Sequence, residues 1–129
     1  MILLDTHVVV WMLGEPKRLS RTAAAEIRKA QSEDGVAISA ITLWELASLI
    51  ARRRIRAYGT VEASVRLLIE GLVVKPISPE IAAVAAQFSD EFPRDPADRL
   101  IAATAMVEGI PLLTHDGPIR RSPLLRALW

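Results

Sequence analysis

Short, mostly apolar runs alternate with longer stretches in which apolar residues recur at helical spacing. The runs cover residues 2–4, 36–38, 72–74 and 111–114. A continuous apolar run of this length is typical of a strand that is buried on both faces of a parallel sheet. Residues 124–129 are predicted to be either a short fifth strand or a tail.

The stretches between these runs predict helices, and several begin or end with residues that favour helix termini. Ser20 and Thr60 are good N-caps, and a helix is predicted to start at Ser39 or Thr42. Gly109 suits the position just after a helix. Strands that alternate with helices over 129 residues predict one α/β domain, residues 1–129, a sandwich with a central, mainly parallel sheet of four to five strands flanked by helices.

The amino-acid composition limits the kinds of metal site and partner that the protein can have. The chain has no cysteine and two histidines, which excludes thiolate sites and a histidine-based zinc site. Any bound metal must therefore be a hard cation held by oxygen. The net charge of +1 excludes a strongly basic nucleic-acid coat. No basic leader precedes an apolar stretch and no apolar run approaches about 20 residues, so we expect a cytoplasmic protein without a membrane span.

Four acidic residues stand in segments of similar character: Asp5, Glu45, Asp98 and Asp116. Asp5 and Asp116 directly follow predicted strands, and the carboxyl ends of parallel strands line the ligand crevice of an open α/β sheet. Glu45 and Asp98 are predicted to lie in the first turns of helices that start at the same rim. Converging carboxylates need a cation, and the set predicts a Mg²⁺ or Mn²⁺ site that cleaves a phosphodiester.

Each acid also has a local structural explanation. Asp5 could cap a helix, Glu45 stands at the capping-box spacing, and Asp116 begins a common turn dipeptide. Asp95 followed by Pro96 is the expected N-cap and first helical residue, and the capping interpretation prevails there. For the other acids the combination favours a shared site, because a capping acid needs only one local partner.

On these segments the chain resembles the PIN-domain ribonucleases, specifically the VapC-type toxins of toxin–antitoxin pairs. The resemblance lies in residues 2–6, 39–46, 95–105 and 112–116, in the family's order, and it covers essentially all 129 residues. It implies hydrolysis of RNA with Mg²⁺ or Mn²⁺, by one or two cations, leaving a 5′-phosphate and a 3′-hydroxyl.

The resemblance also assigns roles to individual residues. The catalytic quartet would be Asp5, Glu45, Asp98 and Asp116, with Asp5, Asp98 and Asp116 holding metal and Glu45 orienting a water or acting as a base. The supporting residues would be Thr114, Asp95 and Thr6.

The expected partners are an RNA substrate, a cognate antitoxin and a second copy of the chain. In the family an antitoxin segment lies in a hydrophobic groove and places a basic side chain in the acidic site. Arg99 adjoins Asp98 and is predicted to contact RNA.

Two other functions fit the sequence less well. A phosphoryl-transfer domain with Asp5 as nucleophile would need a second acid beside it and a nearby lysine, and the only lysines are Lys17, Lys29 and Lys75. A catalytically silent binding module with the same fold would be indicated by loss of a quartet member, and all four are present.

Overall fold

A five-stranded parallel sheet forms the centre of the protein, which a computed structural model describes over residues 1–129. The spatial order of the strands is β3-β2-β1-β4-β5, and every neighbouring pair is parallel. Residues 127–128 are thus a strand rather than a tail, and the predicted fold class is confirmed. The strands are β1 (Ile2–Leu4), β2 (Val36–Ser39), β3 (Val73–Lys75), β4 (Leu112–Leu113) and β5 (Ala127–Leu128).

Seven α-helices connect the strands, and a single 3₁₀ turn, Pro16–Arg18, follows the first of them. The longest has 13 residues, and none combines the length and apolarity that a bilayer crossing requires. The helices are α1 (Thr6–Gly14), α2 (Arg21–Ser32), α3 (Ala40–Ala51), α4 (Val61–Leu68), α5 (Pro79–Ala86), α6 (Pro96–Glu108) and α7 (Gly117–Arg121).

Most predicted helix termini agree with the structure. The Ser20 and Thr60 hydroxyls accept hydrogen bonds from backbone N–H groups three residues later, at 2.9 and 3.0 Å. Gly109 ends α6 with a positive φ of 66°, a conformation that glycine adopts without steric cost. The start of α3 is now fixed, because Ser39 rather than Thr42 caps it.

The core lies on both faces of the sheet, and the central strand β1 contributes to each. Leu4 packs with side chains of α1, α2 and α3, including Val8, Ile27 and Leu46. Leu3 packs on the other face in a second cluster with residues of α6 and α7. Burying one such side chain stabilises the fold by roughly 1.5–3 kcal/mol. The carboxyl end of β1, where Asp5 follows, is therefore held firmly from both sides.

Candidate active site

Asp5 lies where β1 ends and α1 begins. Its backbone N–H donates to the Leu113 carbonyl at 3.0 Å, which extends the β1–β4 pairing by one residue. Only 7% of Asp5 is exposed. Its Oδ1 accepts from the Thr6 backbone N–H at 2.8 Å, and its Oδ2 accepts from the Thr114 hydroxyl at 2.8 Å. Both carboxylate oxygens are thus fixed in orientation at the carboxyl edge of the sheet.

Glu45 reaches the same edge from the second turn of α3, not from its first turn as the sequence suggested. The Thr6 hydroxyl donates to Glu45 Oε1 at 2.6 Å and lies 3.0 Å from the Thr42 hydroxyl. Because Thr6 has a single hydroxyl proton, Thr42 donates to Thr6 and Thr6 donates to Glu45. The capping-box alternative for Glu45 is wrong, since its carboxylate is bonded to α1 and Ser39 caps α3.

Asp95 and Asp98 belong to the start of α6. Asp95 caps the helix, its Oδ1 accepting from the backbone N–H groups of Ala97 at 2.8 Å and Asp98 at 3.3 Å, and Pro96 is the first helical residue. The capping role of Asp95 predicted from the Asp-Pro pair agrees with this geometry. The Asp98 side chain, in the first turn of the helix, has no hydrogen-bond partner and lies within electrostatic range of Asp5, Glu45 and Asp116, with which it forms the acidic crevice.

Thr114 joins the first acid to the fourth. It is fully buried just after β4, donates to Asp5 and accepts from the Asp116 backbone N–H at 3.1 Å. The Asp116 carboxylate accepts from the Ile119 N–H at 2.9 Å and caps the short helix α7. One of its oxygens, Oδ1, is therefore used by the helix, and the other is available for a ligand.

The electrostatics show that these acids share one region. Burial, followed by the charges of four other acids, raises the pKa of Asp98 to about 7; the four are Asp5, Asp95, Asp116 and Glu45. Burial also raises the pKa of Asp5, against the hydrogen bonds from Thr114 and Thr6, and it raises the pKa of Glu45. The structure thus brings all four quartet residues and Asp95 into mutual electrostatic range.

Apart from the exposed His7, whose charge lowers the pKa of Asp5 and Glu45, no cationic side chain of the protein compensates this charge. The structure has four ion pairs, and none includes an acid of the crevice. An acidic cluster without a basic partner is costly in a partly buried site. A cation from outside the chain would remove that cost, and every available donor is an oxygen, as Mg²⁺ and Mn²⁺ prefer.

The crevice is not a preformed cage. No group of three or more His, Cys, Asp or Glu side chains is already arranged to hold a metal ion. Electrostatic repulsion acts over longer distances than metal coordination, so the raised pKa values and this finding are compatible. Mg²⁺ usually keeps several waters and takes one or two protein carboxylates. The residues therefore fit a partly hydrated hard cation and do not fit a fully dehydrated one.

Arg99 is the one predicted site residue that the structure assigns elsewhere. Its guanidinium donates to four backbone carbonyls in the segment before α6: Phe88 and Pro93 at 2.8 Å, Ser89 at 3.0 Å and Phe92 at 3.2 Å. These bonds argue against the predicted RNA contact, which stays a prediction. Four of its five N–H groups are already used to hold this segment against α6.

Two residues near the crevice were given no role in the site from the sequence. Thr42 supplies the hydroxyl that orients Thr6, and its spacing of three from Glu45 on a helix could have placed both on one face. His7 is exposed, and its charge lowers the pKa of both Asp5 and Glu45.

The fold and this crevice define a class of protein: the chain belongs to the PIN domain family, whose model matches residues 2–123. The family recognised from the four acidic segments is thereby confirmed. The chain is 40% identical over 130 residues to Ribonuclease VapC22 of Mycobacterium tuberculosis (strain ATCC 25618 / H37Rv), covering 99% of this chain and 98% of that protein.

Solved structures agree with the fold. VapBC2 from Rickettsia felis, bound to a DNA fragment from its promoter, has a TM-score of 0.75 at 19% identity, over 99% of this chain and 98% of that one. FitAcB from Neisseria gonorrhoeae has a TM-score of 0.69 at 25% identity, over 99% and 96% of the two chains.

Proposed function

We propose that residues 1–129 form a single domain that acts in the cytoplasm as a metal-dependent endoribonuclease, the toxin of a type II toxin–antitoxin pair. The observation that carries the proposal is the convergence of the acids at the carboxyl edge of the sheet, where Thr6 bonds to Asp5 and Glu45 and Thr114 bonds to Asp5 and Asp116. The raised pKa of Asp98 agrees with this geometry. The relative that shares 40% of its sequence is named a ribonuclease, which supports RNA as the substrate.

In this proposal Asp5, Asp98 and Asp116 hold Mg²⁺ or Mn²⁺. A cation bound there would supply hydroxide near neutral pH and would offset negative charge on the phosphodiester. Glu45, held by the Thr6 hydroxyl, orients the attacking water or accepts its proton. Thr114 orients the Asp5 carboxylate by donating to it, and this bond acts to lower the pKa of Asp5 against the effect of burial. The products would be a 5′-phosphate and a 3′-hydroxyl.

The test is cleavage of single-stranded RNA by the purified protein. We expect cleavage with Mg²⁺ or Mn²⁺, none in excess EDTA, and recovery when the cation is restored. Asp5→Asn is expected to fold, because it removes a buried charge, and to lose essentially all cleavage, because it removes a metal ligand. Undiminished cleavage in EDTA would refute the mechanism.

We further infer an antitoxin docking site in an apolar groove of about 320 Å³. Helices α1, α3 and α4 supply its floor, which includes Val9, Leu46 and Leu68, and Arg54 and Arg56 lie at its edge. An apolar floor with a basic rim suits an amphipathic segment that carries acidic residues. The resemblance to VapC-type toxins supports this occupant.

A homodimer is also proposed on that resemblance. The structure leaves several large apolar side chains exposed, and Trp44, on the helix that carries Glu45, is 62% exposed. Burying such a side chain against a second copy is favourable. Sedimentation velocity is expected to give about twice the 14.2 kDa of one chain, and Trp44→Ala is expected to weaken the association. A monomer at all concentrations would contradict the proposal.

A further inference from the structure

An aromatic cluster lies beside the acid crevice. The His115 ring, next in the chain to Asp116, lies 5.0 Å from the Trp129 ring and 5.6 Å from the Trp11 ring, measured between centroids. Trp11 and Trp129 are 5.7 Å apart in an edge-to-face arrangement. Trp11 is buried, whereas His115 is exposed and Trp129 is partly exposed. The cluster is therefore anchored on its inner side and presents aromatic surface to solvent on its outer side.

An open pocket of about 550 Å³ adjoins this cluster. Its lining includes Trp129, Arg120, Arg121 and Gly117, the residue that follows Asp116. The Arg121 guanidinium lies across Gly117, with Nη1 2.9 Å from the position a Cβ would take there. Pockets of roughly 300–1,000 Å³ are the usual size for small-molecule sites, so a nucleotide has room here.

The two arginines of this pocket have no acidic partner. Neither takes part in any of the four ion pairs of the structure. Both are exposed on α7, the helix that Asp116 caps. Two uncompensated positive charges thus lie within about one helical turn of the fourth acid of the crevice.

We propose that this pocket binds the nucleotide that flanks the cleaved phosphodiester in a single-stranded RNA. A base stacks on Trp129, whose ring packs beside His115, and backbone phosphates contact Arg120 and Arg121. The inference rests on the proposed ribonuclease function. The crevice acids repel phosphates, so an RNA strand needs a cationic surface immediately beside them. Arg99 cannot provide it, because its guanidinium is occupied by backbone carbonyls.

Single-stranded RNA is the ligand that this combination fits. Aromatic side chains stack on unpaired bases of any sequence, and arginines follow the backbone. A base inside a duplex would not be free to stack on a protein ring. A second basic segment, residues 52–56, contains four arginines. It is a weaker candidate for the RNA contact, because Arg54 and Arg56 line the apolar groove and not this pocket.

Binding is tested in the Asp5→Asn background with a fluorescein-labelled, unstructured oligoribonucleotide, measured by anisotropy over a salt series. Arg120→Gln/Arg121→Gln is expected to weaken binding at least about ten-fold and to lower the slope of log K against log salt by about 1.4, two phosphates at about 0.7 each. Trp129→Ala is expected to weaken binding about ten-fold, and Trp129→Phe to restore most of it. Arg52→Gln/Arg53→Gln removes the same charge at the far end of α3 and is expected to change binding less than about two-fold.

Kinetics separate this inference from the proposed function. In the active protein the Arg120/Arg121 double variant is expected to raise KM with little change in kcat, since the contact is made equally before and during the reaction. If the unaltered protein cleaves no RNA, the proposed function fails. If it cleaves and the double variant binds and cleaves like the Arg52/Arg53 control, this inference is overturned. If Trp129→Ala does not fold, the arginine pair decides.

Discussion

Thr114 is the side chain on which the arrangement of the first and fourth acids depends. Its one hydroxyl donates to Asp5 and accepts from the Asp116 backbone. Thr114→Val keeps the shape but removes both bonds, leaving a buried carboxylate with one donor fewer. We expect cleavage to fall by roughly 10–100-fold, as is common when a residue that orients a metal ligand is lost.

The matched control for that substitution is Thr114→Ser, which keeps the hydroxyl and is expected to retain most activity. RNA cleavage rates and metal titration by calorimetry measure the two variants. Equal activity in Thr114→Val and the unaltered protein would show that the hydroxyl has no part in orienting Asp5.

Asp98 makes the stability of the metal-free protein depend on pH. Its pKa is about 7 in the folded protein and near 3.8 in the unfolded chain, so the folded state binds more protons between these values. Stability is therefore lost as pH rises from about 4 to about 7. In EDTA, the melting temperature is expected to fall between pH 5 and pH 8, and Asp98→Asn is expected to flatten this fall.

The control for the pH experiment is Asp90→Asn, an exposed acid in the segment before α6, which is expected to leave the slope unchanged. Millimolar Mg²⁺ is expected to raise the melting temperature most at pH 8, where the crevice is most negative. A melting temperature in EDTA that rises steadily from pH 5 to pH 8 would contradict the account of Asp98.

The segment between α5 and α6 is ordered by one side chain. Arg99 donates to four of its carbonyls, and Phe88 and Phe92 stack beside it with centroids 4.3 Å apart. A lysine ammonium lacks the planar guanidinium group, whose N–H donors reach several carbonyls at once. Arg99→Lys is expected to destabilise the fold by about 1–3 kcal/mol and to reduce cleavage, because α6 carries Asp98.

Urea unfolding measures the effect of that substitution, and Arg94→Lys, an exposed arginine in the same segment, is the control expected to change little. If both variants unfold at the same urea concentration as the unaltered protein, the four hydrogen bonds from Arg99 make no measurable contribution to the free energy of unfolding.

The sequence predicted best those elements that depend on residues close together in the chain. Apolar runs located four strands, and Ser20, Thr60 and Gly109 marked helix ends, because capping and burial depend on nearby residues. The carbonyl bonds of Arg99 could not be predicted, because its partners lie 6–11 residues earlier and are reached only after the segment folds back. The helix α7 was missed because Asp116-Gly117-Pro118 is equally typical of a turn.

The crevice itself could be predicted because parallel strands end at one edge of a sheet. This rule was sufficient to predict from the sequence that Asp5 and Asp116 lie close together. The pocket of Trp129, Arg120 and Arg121 could not be predicted, because it depends on β5 lying beside β4 and on the direction of long, flexible side chains. Tertiary contacts, and not any local pattern, decide those features.

None of the four crevice acids lines the groove, so inhibition and catalysis should be separable by mutation. Leu13 lines the groove and is 49% exposed. Leu13→Glu places a charge on the apolar floor and is expected to abolish inhibition by the antitoxin, taken as the product of an adjacent short reading frame, while cleavage of RNA is unchanged.

Leu67→Glu is the matched control, since Leu67 is similarly exposed at 51% and does not line the groove. Inhibition assays of RNA cleavage with increasing antitoxin measure both variants. Full inhibition of Leu13→Glu would place the antitoxin on another surface.

The outermost strands of the sheet are very short, three residues in β3 and two in β5. An added strand could pair along no more than this length, so few backbone groups would be gained by extending the sheet into another molecule. The short edge strands thereby protect the sheet from edge-to-edge aggregation. The proposed homodimer is therefore expected to form through helix surfaces, where side chains rather than backbone groups select the partner.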